Sequence, residues 1–250
     1  MKRTLGLTLL LFATLFSCMR QEKPLPAELS RAESVMWEHP DSALSILRSM
    51  PQSSLSIGKN YATWALLLAQ ARDKVYGKRL PDSLNIPSSD KLVQDAMDYF
   101  EKEGDLKRMA QTYYYKGQLL KDQKKITEAM PFFLKSKEMM TKLDEPLFTY
   151  LICQSLGNMY RYQDLYEESL VQLKDAYQYA LRSGNGERIS YALSELGRTY
   201  VHKNEMDSAL FYFGKSLDNA QRLGNIELEA MAMGELGVVY NKLSQGEKAL

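Results

Sequence analysis

Apolar residues recur at intervals of three and four along most of the chain after residue 26, a spacing that predicts amphipathic α-helices. Between residues 186 and 203 they fall at Ile189, Ala192, Leu193, Leu196 and Tyr200. After a short polar turn the same spacing resumes at Met206 and ends before Gly224, a residue suited to a left-handed helix cap. No stretch shows the sustained alternation of a strand. The pattern therefore predicts an all-α protein built from paired helices.

Small residues repeat along the chain at an interval of 40. One series is Gly117, Gly157, Gly197 and Gly237; a second is Gly104, Gly184 and Gly224, with Asp144 at the missing place; a third is Ala129, Ser169, Ala209 and Ala249. A glycine inside a helix costs about 1 kcal/mol relative to alanine. We therefore expect close approach of the second helix of each pair to offset the cost of the glycines in the first series. Ala129, Ala209 and Ala249 are the small counterparts expected on that helix.

These 40-residue units resemble the tetratricopeptide repeat (TPR) family, in a variant with longer helices than the usual repeat of about 34 residues. In the unit that begins at residue 190, seven residues match consensus positions 4, 7, 8, 11, 20, 24 and 27, namely Leu193, Leu196, Gly197, Tyr200, Ala209, Phe213 and Ser216. The resemblance implies a right-handed superhelical solenoid of antiparallel helix hairpins. The first helix of each hairpin would line the concave face.

The repeat divides the chain into a regular and a degenerate part. Residues 110–250 hold four units, the last incomplete, because Gly246 is expected to open its second helix; the sequence is therefore expected to continue beyond residue 250. Residues 27–109 form degenerate TPR-like hairpins, with helices expected at 27–38, 40–50, 60–75 and 90–103. The segment 76–89 is an insertion longer than most hairpin loops.

The N-terminus has the pattern of a lipoprotein signal. Lys2 and Arg3 precede an uncharged stretch, 5–16, which is shorter than the roughly 20 residues that a membrane-spanning helix needs. Ser17 and Cys18 then resemble a bacterial lipobox. We predict a signal peptide at 1–17, lipidation (palmitate) at Cys18 and a tether at 18–26; an ordinary signal peptide or a buried helix is the alternative. The expected location is the cell envelope, on a membrane that the sequence does not specify.

Composition and motifs exclude several classes of function. Lys plus Arg number 32 and Asp plus Glu 31, so no net charge favours nucleic acid. Two Cys and two His supply neither a disulfide framework nor a histidine metal site. No phosphate-binding glycine loop, H-E-x-x-H or G-x-S-x-G motif occurs. We predict a protein that is not an enzyme, with no cofactor, no metal and no small-molecule substrate, in which Cys153 is a buried structural thiol.

The TPR resemblance also implies where a partner binds. Ligand-contacting side chains of such proteins come from positions 2, 5, 9 and 12 of each unit; those singled out here are Tyr114, Gln118, Lys121, Gln154, Asn158, Arg161, Ser194 and Arg198. The wider set of such positions contains three cations and no Asp or Glu. That bias predicts a groove for an acidic or C-terminal segment of a protein or peptide. The alternative is that these are solvated helix residues.

Three hypotheses of function follow from the lipobox and the repeats. The lipobox, the segment 40–44 and the Ala- and Leu-rich run 65–74 together resemble TPR lipoproteins and sensor proteins of Bacteroidota. The first hypothesis is a lipid-anchored, non-catalytic scaffold that binds a peptide or protein on its concave face. The second is the sensor half of a longer membrane-bound signalling or transcription regulator. The third is a cell-envelope lipoprotein that assists outer-membrane assembly or captures glycans.

Overall fold

The computed structural model describes residues 24–51, 55, 58–76 and 88–248. Cys18, the predicted signal peptide, most of the 76–89 insertion and Ala249 lie outside these residues. Within them the chain forms helices and no strands, so the predicted all-α class is confirmed. The helices are α1 (Ala27–Val35), α2 (Pro40–Ser49), α3 (Lys59–Tyr76), α4 (Ser89–Glu103), α5 (Leu106–Asp122), α6 (Ile126–Lys142), α7 (Pro146–Tyr162), α8 (Tyr166–Ser183), α9 (Gly186–His202), α10 (Met206–Leu223) and α11 (Ile226–Lys248).

Consecutive helices pack against each other along the whole described chain, as expected for a solenoid of hairpins. The odd-numbered helices also touch one another: α1 packs on α3, α3 on α5, α7 on α9 and α9 on α11. The even-numbered helices of the described part pack substantially only on their neighbours in the chain. Because the closer-spaced layer of a curved stack lies on its inside, the odd-numbered helices form the concave face. In the described chain no helix is both long and apolar enough to cross a membrane.

Residues with a left-handed backbone conformation recur along the solenoid at an interval of 20. They are Gly104, Lys124, Asp144, Asp164, Gly184, Asn204 and Gly224, with φ between 55° and 75°. Each follows a helix, and at five of the seven, all except Gly104 and Gly184, the next amide donates to a carbonyl five residues back, as from Lys125 to Leu120 at 2.9 Å. Asp144, which stands where the glycine series has its gap, takes the same conformation. Each 40-residue repeat therefore consists of two halves, and each half is a helix that ends in a left-handed residue.

The repeated glycines of α5, α7 and α9 do lie against the second helix of their hairpin. A Cβ placed on Gly197 would lie 2.5 Å from the Phe213 ring, and one on Gly157 would lie 2.6 Å from Leu173. Such distances leave no room for a methyl group. Close approach therefore offsets the helix-propensity cost of these glycines, as the sequence predicts.

The residue that fills the space differs from the prediction. Ala129 and Ala209 are fully buried on the second helices, but the atoms that meet the glycines belong mainly to the larger side chains four residues later. Gly237 on α11 has no such neighbour within 4 Å. Helix α11 also continues unbroken to Lys248, so the second helix expected to open at Gly246 is not separated from it. A continuous helix keeps all its backbone hydrogen bonds. A turn stabilises the fold only where the helix after it packs against the helix before it.

The largest core lies in the N-terminal half, where the repeat is least regular. Every side chain of α3 from Ala62 to Arg72 is buried. Trp64 donates from Nε1 to the Leu47 carbonyl at 2.9 Å, which ties α3 to α2. Helix α1 ends at Val35, short of the predicted boundary, and the chain turns before Pro40. That turn places Trp37 over the concave face.

Candidate functional site

The predicted contact residues lie on the odd-numbered helices, but two of them are buried between helices. Tyr114 is 4% exposed and packs against Phe133 and Phe148, with ring centroids 5.7 and 6.0 Å away. Ser194 is 1% exposed, and its hydroxyl lies 3.1 Å from that of Ser216 on α10. Neither side chain reaches a partner on the concave face, which corrects the prediction. Gln118, Lys121, Gln154 and Asn158 are partly exposed.

Lys121 and Gln118 are already engaged within α5. The Lys121 ammonium donates to the side-chain carbonyl of Gln118. The amide of Gln118 in turn donates to the Tyr114 hydroxyl at 3.0 Å. These contacts hold the three side chains in one chain of hydrogen bonds along the helix. They position Lys121 beside Asp122 and Asp73 rather than leaving it as an isolated cation.

Arg161 and Arg198 belong to a chain of alternating charges, which we term the charge ladder. Arg161 on α7 pairs with Glu195 on α9 at 2.7 Å. Glu195 also pairs with Arg198 at 2.7 Å, and Arg198 reaches Glu235 on α11 at 2.5 Å. The side chains of Arg161 and Glu195 are each 10% exposed. The charge ladder therefore joins three first helices, through a nearly buried pair at Arg161 and Glu195 and a more exposed pair at Arg198 and Glu235.

The ladder removes the positive excess that the sequence predicts for this part of the groove. Burial alone would lower the pKa of Arg198, but Glu195 and Glu235 raise it. The two glutamates occupy position 6 of their units, outside the positions 2, 5, 9 and 12 that the resemblance singled out. They stand 40 residues apart, each two residues before a repeated glycine. The repeat pattern in the sequence therefore marks both positions.

Beside the charge ladder lies a cavity of about 200 Å³ between α9 and α11, which we term the α9–α11 cleft. Val201 and the ring of Phe213 contribute apolar surface, and Val238, 54% exposed, stands at its edge. Arg198 and Glu235 add the charged part of the lining, together with His202. The Phe213 ring also packs on Gly197, so the repeat packing and the cleft share one side chain.

A second group of side chains, the cation cluster, lies on the same face towards the N-terminus. It comprises Trp37, Asp73, Lys74, Tyr150 and Arg188. The Lys74 ammonium nitrogen is 3.4 Å from the centroid of the Trp37 ring. The guanidinium carbon of Arg188 lies 5.4 Å from the Trp37 ring and 5.4 Å from the Tyr150 ring. Residues from α3, α7, α9 and the turn after α1 thus converge on one point.

Positive charge exceeds negative charge in the cation cluster. Burial, together with repulsion from Arg188, lowers the pKa of Lys74 to about 8, and attraction by Asp73 opposes that shift. Burial also raises the pKa of Asp73, while the attraction of Lys121 opposes that shift. Within the described chain neither Lys74 nor Arg188 forms an ion pair, and the buried Nε of Arg188 has no hydrogen-bond partner. The cluster therefore holds two cations and one carboxylate, Asp73, which attracts Lys74 without pairing with it directly.

Comparison with known proteins identifies the fold. No protein-family model matches the sequence, and no curated protein matches it. A STAND signal-transduction ATPase with a tetratricopeptide repeat sensor, from Pyrococcus horikoshii, matches 86% of this chain and 32% of its own, at 18% identity and a TM-score of 0.67. The apo form of RapI matches 88% and 83% of the two chains, at 14% identity and a TM-score of 0.65. The chain has the TPR fold.

A third solved structure agrees with this assignment. BtubC from P. vanneervenii is 15% identical, with a TM-score of 0.61, over 89% of this chain and 82% of that one. Identities this low establish the fold alone, and the ligand must be inferred from the side chains of this chain. In TPR terms, the charge ladder and the α9–α11 cleft both belong to first helices of regular units. The cation cluster draws mainly on residues outside them.

The cation cluster gave no periodic signal in the sequence. Trp37 and Lys74 lie in the degenerate N-terminal part, and Arg188 lies just before the start of a repeat unit. Asp73 and Lys74 end the Ala- and Leu-rich run 65–74, whose sequence indicates a family resemblance and no binding site. Residues this far apart in sequence are brought together by the curvature of the TPR solenoid. Only the tertiary structure reveals them as one site.

The remaining candidate residues are Cys153 and His202. Cys153 is fully buried, and burial raises the pKa of its thiol to about 11, which suits an unreactive core residue. Burial, with Arg161 and Lys242, lowers the pKa of His202 at the edge of the α9–α11 cleft. No cluster of three His, Cys, Asp or Glu side chains that could hold a metal ion occurs in the described part of the chain.

Proposed function

We propose that this TPR protein is a lipid-anchored, non-catalytic scaffold that binds a peptide or protein segment on its concave face. The observation that carries the proposal is the α9–α11 cleft. Its apolar surface from Val201, Phe213 and Val238 lies beside a pair of opposite charges, Arg198 and Glu235. An apolar side chain of a ligand would bury itself there, while the charged pair would bond to the ligand backbone.

The size of the cleft favours a polymer over a small molecule. Pockets for small molecules usually enclose about 300 to 1,000 Å³. The α9–α11 cleft encloses about 200 Å³ and lies along the inner groove of the solenoid. It therefore fits one anchoring side chain of a longer ligand. Because Arg198 and Glu235 balance each other, this cleft does not by itself call for an acidic ligand.

A peptide library tests the binding proposal. Random peptides displayed on phage are selected on the purified full chain, and their affinities are then measured for Val238→Asp. A charge at the cleft should weaken the selected peptides by about tenfold or more. Val171→Asp is the matched control, because Val171 is as exposed (57% against 54%) but lies on α8, away from the cleft. Failure to select any peptide, or equal loss in both variants, would overturn the proposal.

Lipid anchoring at Cys18 is the second part of the proposal. An uncharged stretch ending at Ser17 supports it, since several acyl chains on one cysteine would hold the domain at a membrane surface. Metabolic labelling with palmitate should mark the parent chain and fail to mark Cys18→Ser, which should also leave the membrane pellet. Cys153→Ser, which alters the only other cysteine, should remain labelled. Persistent label in Cys18→Ser would show that the anchor is elsewhere.

A further inference from the structure

The Trp37 ring joins the first hairpin to two distant helices of the concave face. It lies in the turn between α1 and α2 and meets the Phe148 ring of α7 nearly edge to face, with centroids 5.5 Å apart. The guanidinium carbon of Arg188, on α9, lies 5.4 Å from the centroid of the same ring. The whole of α2 to α6 separates Trp37 from both partners in the sequence. These contacts therefore reach well beyond the neighbouring hairpins.

Trp37 meets α7 where the concave layer is least closely packed. Among consecutive odd-numbered helices of the described chain, α5 and α7 have the weakest contact. Tyr114 of α5 and Trp37 both meet the Phe148 ring, with centroids 6.0 and 5.5 Å away, and that ring is only 4% exposed. Trp37 therefore helps to fill the gap between α5 and α7 and covers part of an apolar ring on the concave face.

This closed arrangement has an electrostatic cost. The Trp37 ring attracts both Lys74 and Arg188, whose charged groups lie 3.4 and 5.4 Å from its centroid. Cations that share one ring also repel each other, and this repulsion contributes to the lowered pKa of Lys74, which Asp73 offsets only in part. Trp37 itself is half-buried. Release of its ring would let water reach both cations and screen their repulsion.

We propose that Trp37 is a releasable latch, which closes the solenoid by holding the turn after α1 against α7 and α9. In the closed state the indole ring occupies concave surface at Phe148 and Arg188. In the open state the ring is in water and this surface is free. A peptide on the concave face competes with the ring for that surface, so the closed latch is autoinhibitory. This consequence rests on the proposed function, whereas the latch itself does not.

The latch and the α9–α11 cleft lie on one helix, which makes the competition possible. Arg188 stands in the first turn of α9 and Arg198 near its end, about 15 Å further along the helix axis. An extended peptide covers that length with about five residues. A peptide whose side chain is anchored in the cleft can therefore reach the surface that Trp37 covers.

The two tryptophans of the chain provide a direct test. In the full chain labelled with 5-fluorotryptophan, the ¹⁹F resonance of Trp37 reports on the latch, and Trp37→Phe assigns it. Trp64, 7% exposed and bonded through Nε1 to the Leu47 carbonyl, is the internal control. The resonance of N-acetyl-5-fluorotryptophanamide marks a fully hydrated ring. We expect ¹⁹F relaxation dispersion to show exchange with an open state at Trp37 and none at Trp64.

Variants should move this equilibrium in opposite directions. Phe148→Leu removes the edge contact but keeps an apolar core residue, so the ratio of open to closed latch should rise by up to about tenfold. Lys74→Met removes the repulsion and keeps an apolar stem against the ring, so the ratio should fall. Phe211→Leu is the matched control, because Phe211 makes the same kind of edge contact with Tyr212 on α10, away from the latch.

Two results would overturn the latch. One is a Trp37 resonance that neither exchanges nor moves in Phe148→Leu. The other is an equal change at Trp37 and Trp64, which would mean a general loosening of the fold.

The autoinhibitory consequence is measured with the peptides selected at the cleft. Trp37→Ala should bind them more tightly than the parent, by the reciprocal of the open fraction that ¹⁹F NMR gives for the parent. Equal affinities would overturn this consequence. A latch that exchanges when no peptide can be selected would stand although the proposed function fails, so the two outcomes are separable.

Discussion

The charge ladder and the cation cluster lie on the same concave face, but their cations have different partners. In the ladder, Arg161 and Arg198 each meet a glutamate within hydrogen-bonding distance. In the cluster, Lys74 and Arg188 meet aromatic rings and each other. The two glutamates of the ladder stand 40 residues apart, whereas the residues of the cluster share no such period. The difference indicates that the ladder serves the stacking of units.

The physical cost of each arrangement supports that distinction. A nearly buried ion pair with both partners present holds neighbouring helices in register, and losing either partner is expensive. Two cations that repel each other, with only Asp73 in partial compensation, weaken the folded state instead. Variants in the two groups should therefore change stability with opposite signs.

The largest expected effect is in the charge ladder. Glu195→Gln leaves Arg161, which is 10% exposed, without its carboxylate partner. We expect the free energy of unfolding to fall by about 3 kcal/mol, measured from the midpoint of urea unfolding. Glu138→Gln, which breaks an exposed pair with Lys142, should have far less effect. Equal losses in the two variants would mean that the ladder is only a surface feature.

The next effect is the pH dependence that Lys74 imposes. Its folded pKa of about 8 lies below its ordinary value of 10.5, because it is buried beside Arg188 and Asp73 does not fully compensate. Between these two values the unfolded chain holds a proton that the folded chain has released, so stability should rise with pH over this window. Allowing for partial exposure, the rise is about 1 to 2 kcal/mol.

Removing the Lys74 charge should produce a smaller gain at neutral pH. Lys74→Met removes the repulsion from Arg188 and keeps an apolar stem against Trp37, although the cation–π contact is lost. We expect the free energy of unfolding to rise by about 1 kcal/mol and the pH slope between 8 and 10.5 to flatten. A loss of stability in urea unfolding would show that the cation cluster is structural and would erase its contrast with the ladder.

The smallest effect compares two repeated glycines on helices that the charge ladder joins. Gly237 on α11 has open space around it, so Gly237→Ala should raise stability by between about 0.5 and 1 kcal/mol through helix propensity. Gly197→Ala should lower it, since the new methyl group meets the Phe213 ring. Thermal unfolding followed by circular dichroism measures both. Shifts of the same sign would contradict the packing described for α9.

The sequence predicted the hairpins well because helix formation and capping are local. Gly224 illustrates this: the sequence predicts a left-handed cap there, and its φ is 63°. The concave face was predicted less well. Tyr114 and Ser194 occupy consensus contact positions yet point between helices, because burial depends on the neighbouring helix and not on the position within a unit.

By itself, the sequence determined an all-α solenoid of paired helices with a 40-residue period, because apolar spacing, mid-helix glycines and cap residues each act within one hairpin. The tertiary structure decided the charge of the groove. Glu195 and Glu235 neutralise Arg161 and Arg198 across neighbouring units, so the predicted excess is not there. Curvature brings Trp37, Lys74 and Arg188 together from distant segments, and electrostatic interactions follow distance in space, not separation along the chain.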